Sequence, residues 1–265
     1  MILAVAAVAG CGGDQPYVTP ERLNRGLVIV LTGIEGRSAF NEDICKGLDD
    51  GGVRYAVELY DWTSRLGPLY NLRAGGRNHK QAREIADYIR RYHRVCPGRP
   101  VFLVGQSGGG AIAVWVAEEL GASQVEGVVL LAASLSPKYR LDKALGASAR
   151  GVISYYSHRD WFLLGTNIAG TMDGELTSSA GRIGFDVPSP APGVYKKLWQ
   201  IPWQPHMADM GHTGGHLTSG DSSFVSHFVA PFINTPTWDE FAVGRVTGVQ
   251  KPKPAPEYIV LPARL

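Results

Sequence analysis

Ten residues constrain this chain more than any others: Val101-Phe102-Leu103-Val104-Gly105-Gln106-Ser107-Gly108-Gly109-Gly110. Val101 to Val104 is a continuous apolar run entered through Pro100, the pattern of a strand buried on both faces of a parallel sheet. Ala111 to Leu120 has no helix breaker, is apolar to Ala117 and stops at Gly121, which predicts a buried helix with a glycine C-terminus. Gly105-x-Ser107-x-Gly109 therefore falls on a sharp strand-to-helix turn.

The glycines have a steric reason. A serine at the tip of so tight a turn takes a strained backbone with positive φ. The residues two before and two after it then approach too closely for side chains, and both are glycine here. The helix that starts just after Ser107 aims free N–H groups and its dipole at the serine, where they would stabilise developing negative charge. Phosphate-binding loops fit less well. A Walker loop needs Lys after the glycines, and a dinucleotide fingerprint needs Gly where Ser107 stands.

At 265 residues, 45% hydrophobic and 19% charged, the chain has ordinary globular composition and enough length for a full core. A net charge of +2 is too small to imply nucleic acid or an anionic surface as partner. Met1 to Gly10 is apolar and alanine-rich and leads into Val8-Ala9-Gly10-Cys11, which resembles the lipobox of bacterial lipoproteins. That resemblance implies an exported protein anchored by lipid on Cys11, with residues 1–16 as signal and tether. Without such a signal the chain is expected in the cytoplasm. Cys45 and Cys96 remain, either as a disulfide or as buried thiols, and their spacing matches no metal site.

Leu27 to Leu31 predicts a second buried strand, ending in the loop Thr32-Gly33-Ile34-Glu35-Gly36-Arg37-Ser38. Ligands of open α/β sheets bind at the carboxyl ends of strands. The N–H of Ile34, paired with that of Gly108, is therefore the expected oxyanion hole. Ala39 to Leu48 predicts a helix, Val53 to Tyr60 a strand and Thr63 to Arg77 a loop. A helix follows from Asn78, with Ala82, Ile85, Ala86, Ile89 and Tyr92 at helical spacing. Val125 to Ala132 and Gly151 to Ser157 predict strands, with a short helix over Lys138 to Leu145 between them. Residues 163–193 form a Gly/Ser/Thr/Pro-rich, lid-like insertion. Val194 to Ile201 predicts the last strand. A helix capped by Asp221 or Ser222 then closes a domain spanning 17–233, and the Pro-rich tail 234–265 is expected to lie extended on the surface.

This alternation, with the Gly-x-Ser-x-Gly turn at its centre and a histidine just before the last helix, resembles the α/β-hydrolase fold superfamily. The pieces that look closest to uncharacterised bacterial α/β-hydrolases are the Thr32–Ser38 loop, Asp61-Trp62, Gly105–Gly110, Ser157-x-x-Asp160 and Gly211-His212-x-Gly214-Gly215-His216. The resemblance implies a mostly parallel sheet with helices on both faces and an insertion between the last two strands. It also implies a triad in the order serine, acid, histidine. A serine hydroxyl needs an imidazole as base, and the imidazole needs a carboxylate to fix its tautomer. Ser107 is then the nucleophile and Asp160, just past a strand, the acid. Asp142, Asp173 and Asp209 lack that context. His216 is the expected base, with His212 the alternative and His206 a surface residue.

A metal site built from His206, Asp209, His212 and His216 is disfavoured, because Gly211, Gly214 and Gly215 argue against a helix there. The expected function is hydrolysis of an ester or related acyl bond of a small molecule, with no cofactor and no nucleic acid. Membrane contact is expected only through the lipid anchor. A thioesterase, amidase or lipase would use the same parts, and the rival class is a non-catalytic envelope scaffold of the same fold. The 163–193 insertion, the better candidate for covering the pocket, lacks a strong amphipathic period, so interfacial lipase action is not favoured over a soluble carboxylesterase.

Overall fold

The computed structural model describes residues 15–249. Cys11, the rest of the expected signal and the final stretch of the tail lie outside them.

Six strands, β1 (Leu27–Leu31), β2 (Ala56–Tyr60), β3 (Val101–Gln106), β4 (Gly127–Leu131), β5 (Val152–Tyr156) and β6 (Leu198–Pro202), form one sheet. Its order is β2-β1-β3-β4-β5-β6 and every neighbouring pair is parallel. The strands read as continuous apolar runs because both faces are covered. Leu27, Ile29 and Leu31 of β1 enter one core cluster, and Val28 and Val30 enter the other.

The first cluster is closed by α2 (Gly75–Val95), α3 (Gly108–Leu120) and α4 (Asp142–Ala147). The second is closed by α1 (Ala39–Asp50), by the helical run α5 (residues 222–234) and by α6 (Glu240–Thr247). Cys45 lies in the second cluster and Cys96 in the first, so the sheet separates them and both are free thiols. Burial pushes the Cys45 thiol up to about 12.

The chain leaves β1 toward β2 and returns on its other side as β3. That reversal opens a crevice at the carboxyl ends of β1 and β3. Ile34 and Ser107 emerge there.

Several boundaries differ from the sequence reading. The span Thr63–Arg77 contains a helix, Pro68–Arg73, and α2 begins at Gly75 rather than Asn78. The short helix after β4 starts at Asp142 rather than Lys138. Residues Gly193–Lys197 form a 3-10 turn, which shortens the last strand to Leu198–Pro202. Within α5, Pro231 has no N–H to offer the preceding turn, and Val225–Val229 widens into a π turn.

The largest correction concerns the tail. Residues 234–249 do not run extended over the surface. Asp239 caps α6 by accepting from Ala242 N at 2.8 Å, while Trp238, Ala242 and Val243 are buried. The domain therefore continues past 233, held by a tryptophan that Gly127 makes room for. A Cβ on Gly127 would stand 2.2 Å from the Trp238 ring.

Candidate active site

Ser107 follows β3 with φ 54° and ψ −119°, the strained backbone expected of the turn. A Cβ on Gly105 would lie 2.3 Å from the Gly109 carbonyl oxygen, and one on Gly109 would lie 2.2 Å from that of Leu31. Neither position can take a side chain while the turn stays this tight. Main-chain bonds lock it: Ser107 N donates to Leu131 O at 2.9 Å, and Ser107 O accepts from Gly110 N and Ser134 N, each at 3.0 Å.

Asp160 sits on the turn after β5, where its N–H donates to Ser157 O at 3.0 Å. Its Oδ1 accepts from Leu163 N at 3.1 Å. His216 lies after β6, on a loop bent by Gly211 and Gly214, both with positive φ. A Cβ on Gly211 would press on the Asp221 carboxylate at 2.2 Å, so that bend requires glycine. The structure brings the three side chains into one line. His216 Nε2 lies 2.9 Å from Ser107 Oγ, and His216 Nδ1 lies 2.7 Å from Asp160 Oδ2. All three are buried. With Nδ1–H donated to the carboxylate, Nε2 keeps a lone pair facing the serine hydroxyl.

Ile34, after β1, is the other expected contributor. Its backbone nitrogen lies 3.4 Å from the point where Gly108 would carry a Cβ. The Ile34 main-chain nitrogen thus lies close to Gly108, the residue after Ser107. The loop that carries Ile34 is fastened from below: Trp62 Nε1 donates to Thr32 O at 2.7 Å, and Asn71 Nδ2 donates to Ile34 O at 2.9 Å.

His212 is placed differently from His216. Its Nδ1 faces Thr218 Oγ1 at 2.9 Å, its ring packs edge-on against Phe224, and its carbonyl accepts from Trp203 Nε1 at 2.6 Å. Burial lowers its pKa to about 4, against the weaker opposing pull of the Asp160 and Asp221 carboxylates. It is therefore neutral at ordinary pH and braces the loop that carries His216. His206 is exposed, with its ring against Phe228. Asp142 pairs with Arg140, Asp173 accepts from Ser136 N, and Asp209 is exposed. Among the described residues, no three His, Cys, Asp or Glu side chains gather as a metal site would require.

Three neighbours of the site escaped the sequence reading. Asn71 lies in a segment read as loop, and no short pattern marks it. Phe162 stacks on the His216 ring, with centroids 4.6 Å apart and planes 19° apart. Arg159 lies over Trp203 at 4.6 Å, tying the Asp160 turn to the His212 loop.

No protein-family model matches the chain, and no curated protein matches it. Solved structures do. Lipase B of Aspergillus fumigatus is similar over 86% of this chain, with TM-score 0.51 and 11% identity, and the match spans 58% of that structure's length. A dienelactone hydrolase from Anabaena variabilis is 18% identical over 77% of this chain and 83% of its own, with TM-score 0.42. Est1E from Butyrivibrio proteoclasticus is 11% identical over 79% of this chain and 87% of its own, with TM-score 0.46. The all-parallel sheet, the reversal of strand order around β1 and the likeness to the Aspergillus lipase together give this chain the α/β-hydrolase fold.

Proposed function

We propose that the chain is a serine hydrolase of the carboxylesterase type, cleaving an ester or related acyl bond through an acyl-enzyme. One observation carries the reading: a single imidazole bridges the Ser107 hydroxyl and the Asp160 carboxylate at 2.9 and 2.7 Å. In that arrangement Ser107 Oγ attacks the carbonyl carbon while its proton passes to His216 Nε2. Asp160 stabilises the imidazolium that forms. The N–H groups of Ile34 and Gly108 donate to the new oxyanion. Collapse expels the alcohol, which takes the proton from Nε2. Water then repeats the sequence on the acyl-enzyme and releases the acid. The steps balance with water as the only co-reactant, and no cofactor takes part.

A fluorophosphonate probe tests this directly. The folded protein is expected to label at Ser107, to lose labelling in Ser107→Ala and to hydrolyse p-nitrophenyl esters. Folded protein that neither labels nor turns over an ester favours a binding scaffold instead.

Export belongs to the same proposal. The Val8-Ala9-Gly10-Cys11 motif predicts an N-terminus that begins at a lipidated Cys11. Mass analysis of the native protein tests it, and an unmodified Met1 rules it out.

A further inference from the structure

An arch of chain, residues 161–177, stands beside the triad. Its first foot is Asp160, through the Leu163 N–H bond. Its far end docks on the loop after β4, where Met172 N donates to Ser134 O at 2.9 Å and Asp173 Oδ1 accepts from Ser136 N at 2.9 Å. Thr166 Oγ1 donates to Thr177 O at 2.8 Å and ties the two limbs together. The inner side chains Leu163, Thr166 and Met172 are buried.

The outer surface is what needs explaining. Trp161, Phe162, Ile168 and Leu176 are 75%, 66%, 84% and 70% exposed. Single exposed apolar side chains are common on protein surfaces, but a cluster this dense on one short arch marks a binding surface. Two contacts join the arch to the reaction centre, one from its outer and one from its inner side. Phe162 lies flat on the His216 imidazole, and Met172 Sδ lies 3.4 Å from the Cβ position of Gly108. Leu217, next to His216 in the chain, is exposed as well. Exposed apolar side chains thus lie on the proposed base, at Phe162, and on the arch that extends from it, at Ile168 and Leu176. In the sequence this stretch shows no amphipathic period, which leaves interfacial action without support there. Its helical turns, Phe162–Gly165 and Thr166–Ala169, are only four residues each, too short to display one.

We propose that this apolar surface receives the acyl chain of the ester, so that the substrate class is esters of medium- and long-chain apolar acids. The inference rests on the hydrolase reading above. Acyl methylenes laid along Phe162, Ile168 and Leu176 leave water together with the side chains they cover. Each methylene fully removed from water raises kcat/KM roughly fourfold. Between a four-carbon and an eight-carbon acyl chain, even partial coverage amounts to about tenfold or more.

The test compares kcat/KM for p-nitrophenyl octanoate and butyrate, both below their aggregation concentrations, in the full chain and in the double variant Ile168→Ser, Leu176→Ser. Both substituted side chains are exposed, so the fold is expected to persist, and butyrate hydrolysis, with its shorter acyl chain, is expected to fall less than octanoate hydrolysis. The expected octanoate-to-butyrate ratio is about ten or higher, dropping at least fivefold in the double variant. A lower wild-type ratio, or a smaller drop, overturns the acyl-site assignment while leaving the hydrolase intact. Failure to hydrolyse either ester, with no fluorophosphonate labelling, overturns both.

Discussion

Asp160 Oδ2 stands 2.7 Å from His216 Nδ1 while its Oδ1 accepts the Leu163 N–H, so one buried carboxylate orients the imidazole and anchors the arch. The two tasks separate in Asp160→Asn. The amide oxygen can still accept from Leu163, which preserves the turn. Its NH2 then faces His216 Nδ1, and the ring must carry its proton on Nε2, where it cannot receive the serine proton. The expected outcome is a fall in kcat of about 10³- to 10⁴-fold with little change in melting temperature. A fall of less than tenfold would move the acid role to another residue.

Asn71 acts on the opposite side of Ser107. Its side chain is buried, donates to Ile34 O and accepts from Ser64 N at 2.9 Å. Asn71→Asp keeps the acceptor for Ser64 and sets an oxygen against the Ile34 carbonyl, repelling the peptide next to the Ile34 N–H, the proposed oxyanion donor. Loss of one such donor costs roughly 10²- to 10³-fold in kcat, and a displaced donor is expected to cost about 10- to 100-fold. Steady-state kinetics should show the loss in kcat, with KM changed less than threefold. A change confined to KM would mean that the loop binds substrate rather than shaping the transition state.

Gly109 is a test of the turn itself. A Cβ there would meet Leu31 O at 2.2 Å and Thr32 O at 2.4 Å, both main-chain atoms at the end of β1 that cannot move aside alone. Gly109→Ala is expected to destabilise the protein by about 3 kcal/mol or more, lowering the melting temperature by roughly 6–12 °C. By contrast, a Cβ on Gly146 meets nothing, and Gly146→Ala is the control, expected to leave the melting temperature unchanged or slightly raised. Calorimetry on the two variants separates backbone crowding from the general effect of removing a glycine.

Why some of this was legible in the sequence and some was not follows from range. The Ser107 turn announces itself because strand, glycines and helix are contiguous. The residues that form it also explain it. Asp160 stands out by its position after a strand and His216 by its position before the last helix; the structure brings His216, 109 residues away in the chain, to Ser107 and Asp160 to His216. His212 and His216, four residues apart in one glycine-rich loop, are ranked in the sequence only by which stands nearer the last helix. Their roles divide through long-range packing, with Phe224 and Thr218 holding one ring and Asp160 the other. The helix Glu240–Thr247 was missed because the Pro-rich stretch beyond it dominated the reading, although Asp239 supplies an ordinary N-cap. The insertion 163–193 stands out in the sequence by composition, but which of its apolar side chains stay exposed is not legible there, because they follow no period.

The division between the two histidines has a consequence for acid stability. His212 is neutral in the folded protein, with its pKa lowered to about 4 from an ordinary value near 6.5, chiefly by burial. Between those values the unfolded chain binds a proton at His212 that the folded chain excludes. Stability from this residue is therefore complete above about pH 6.5 and is lost as pH falls toward 4, a total on the order of 3 kcal/mol. Urea unfolding at pH 7.0 and pH 4.5 measures it. Wild type is expected to lose roughly 2–3 kcal/mol more over that interval than His212→Asn, whose side chain does not titrate. If the variant shows the same stability difference between the two pH values as wild type, the neutral His212 is not what fails in acid, and the loop bearing His216 is held by something other than this buried ring.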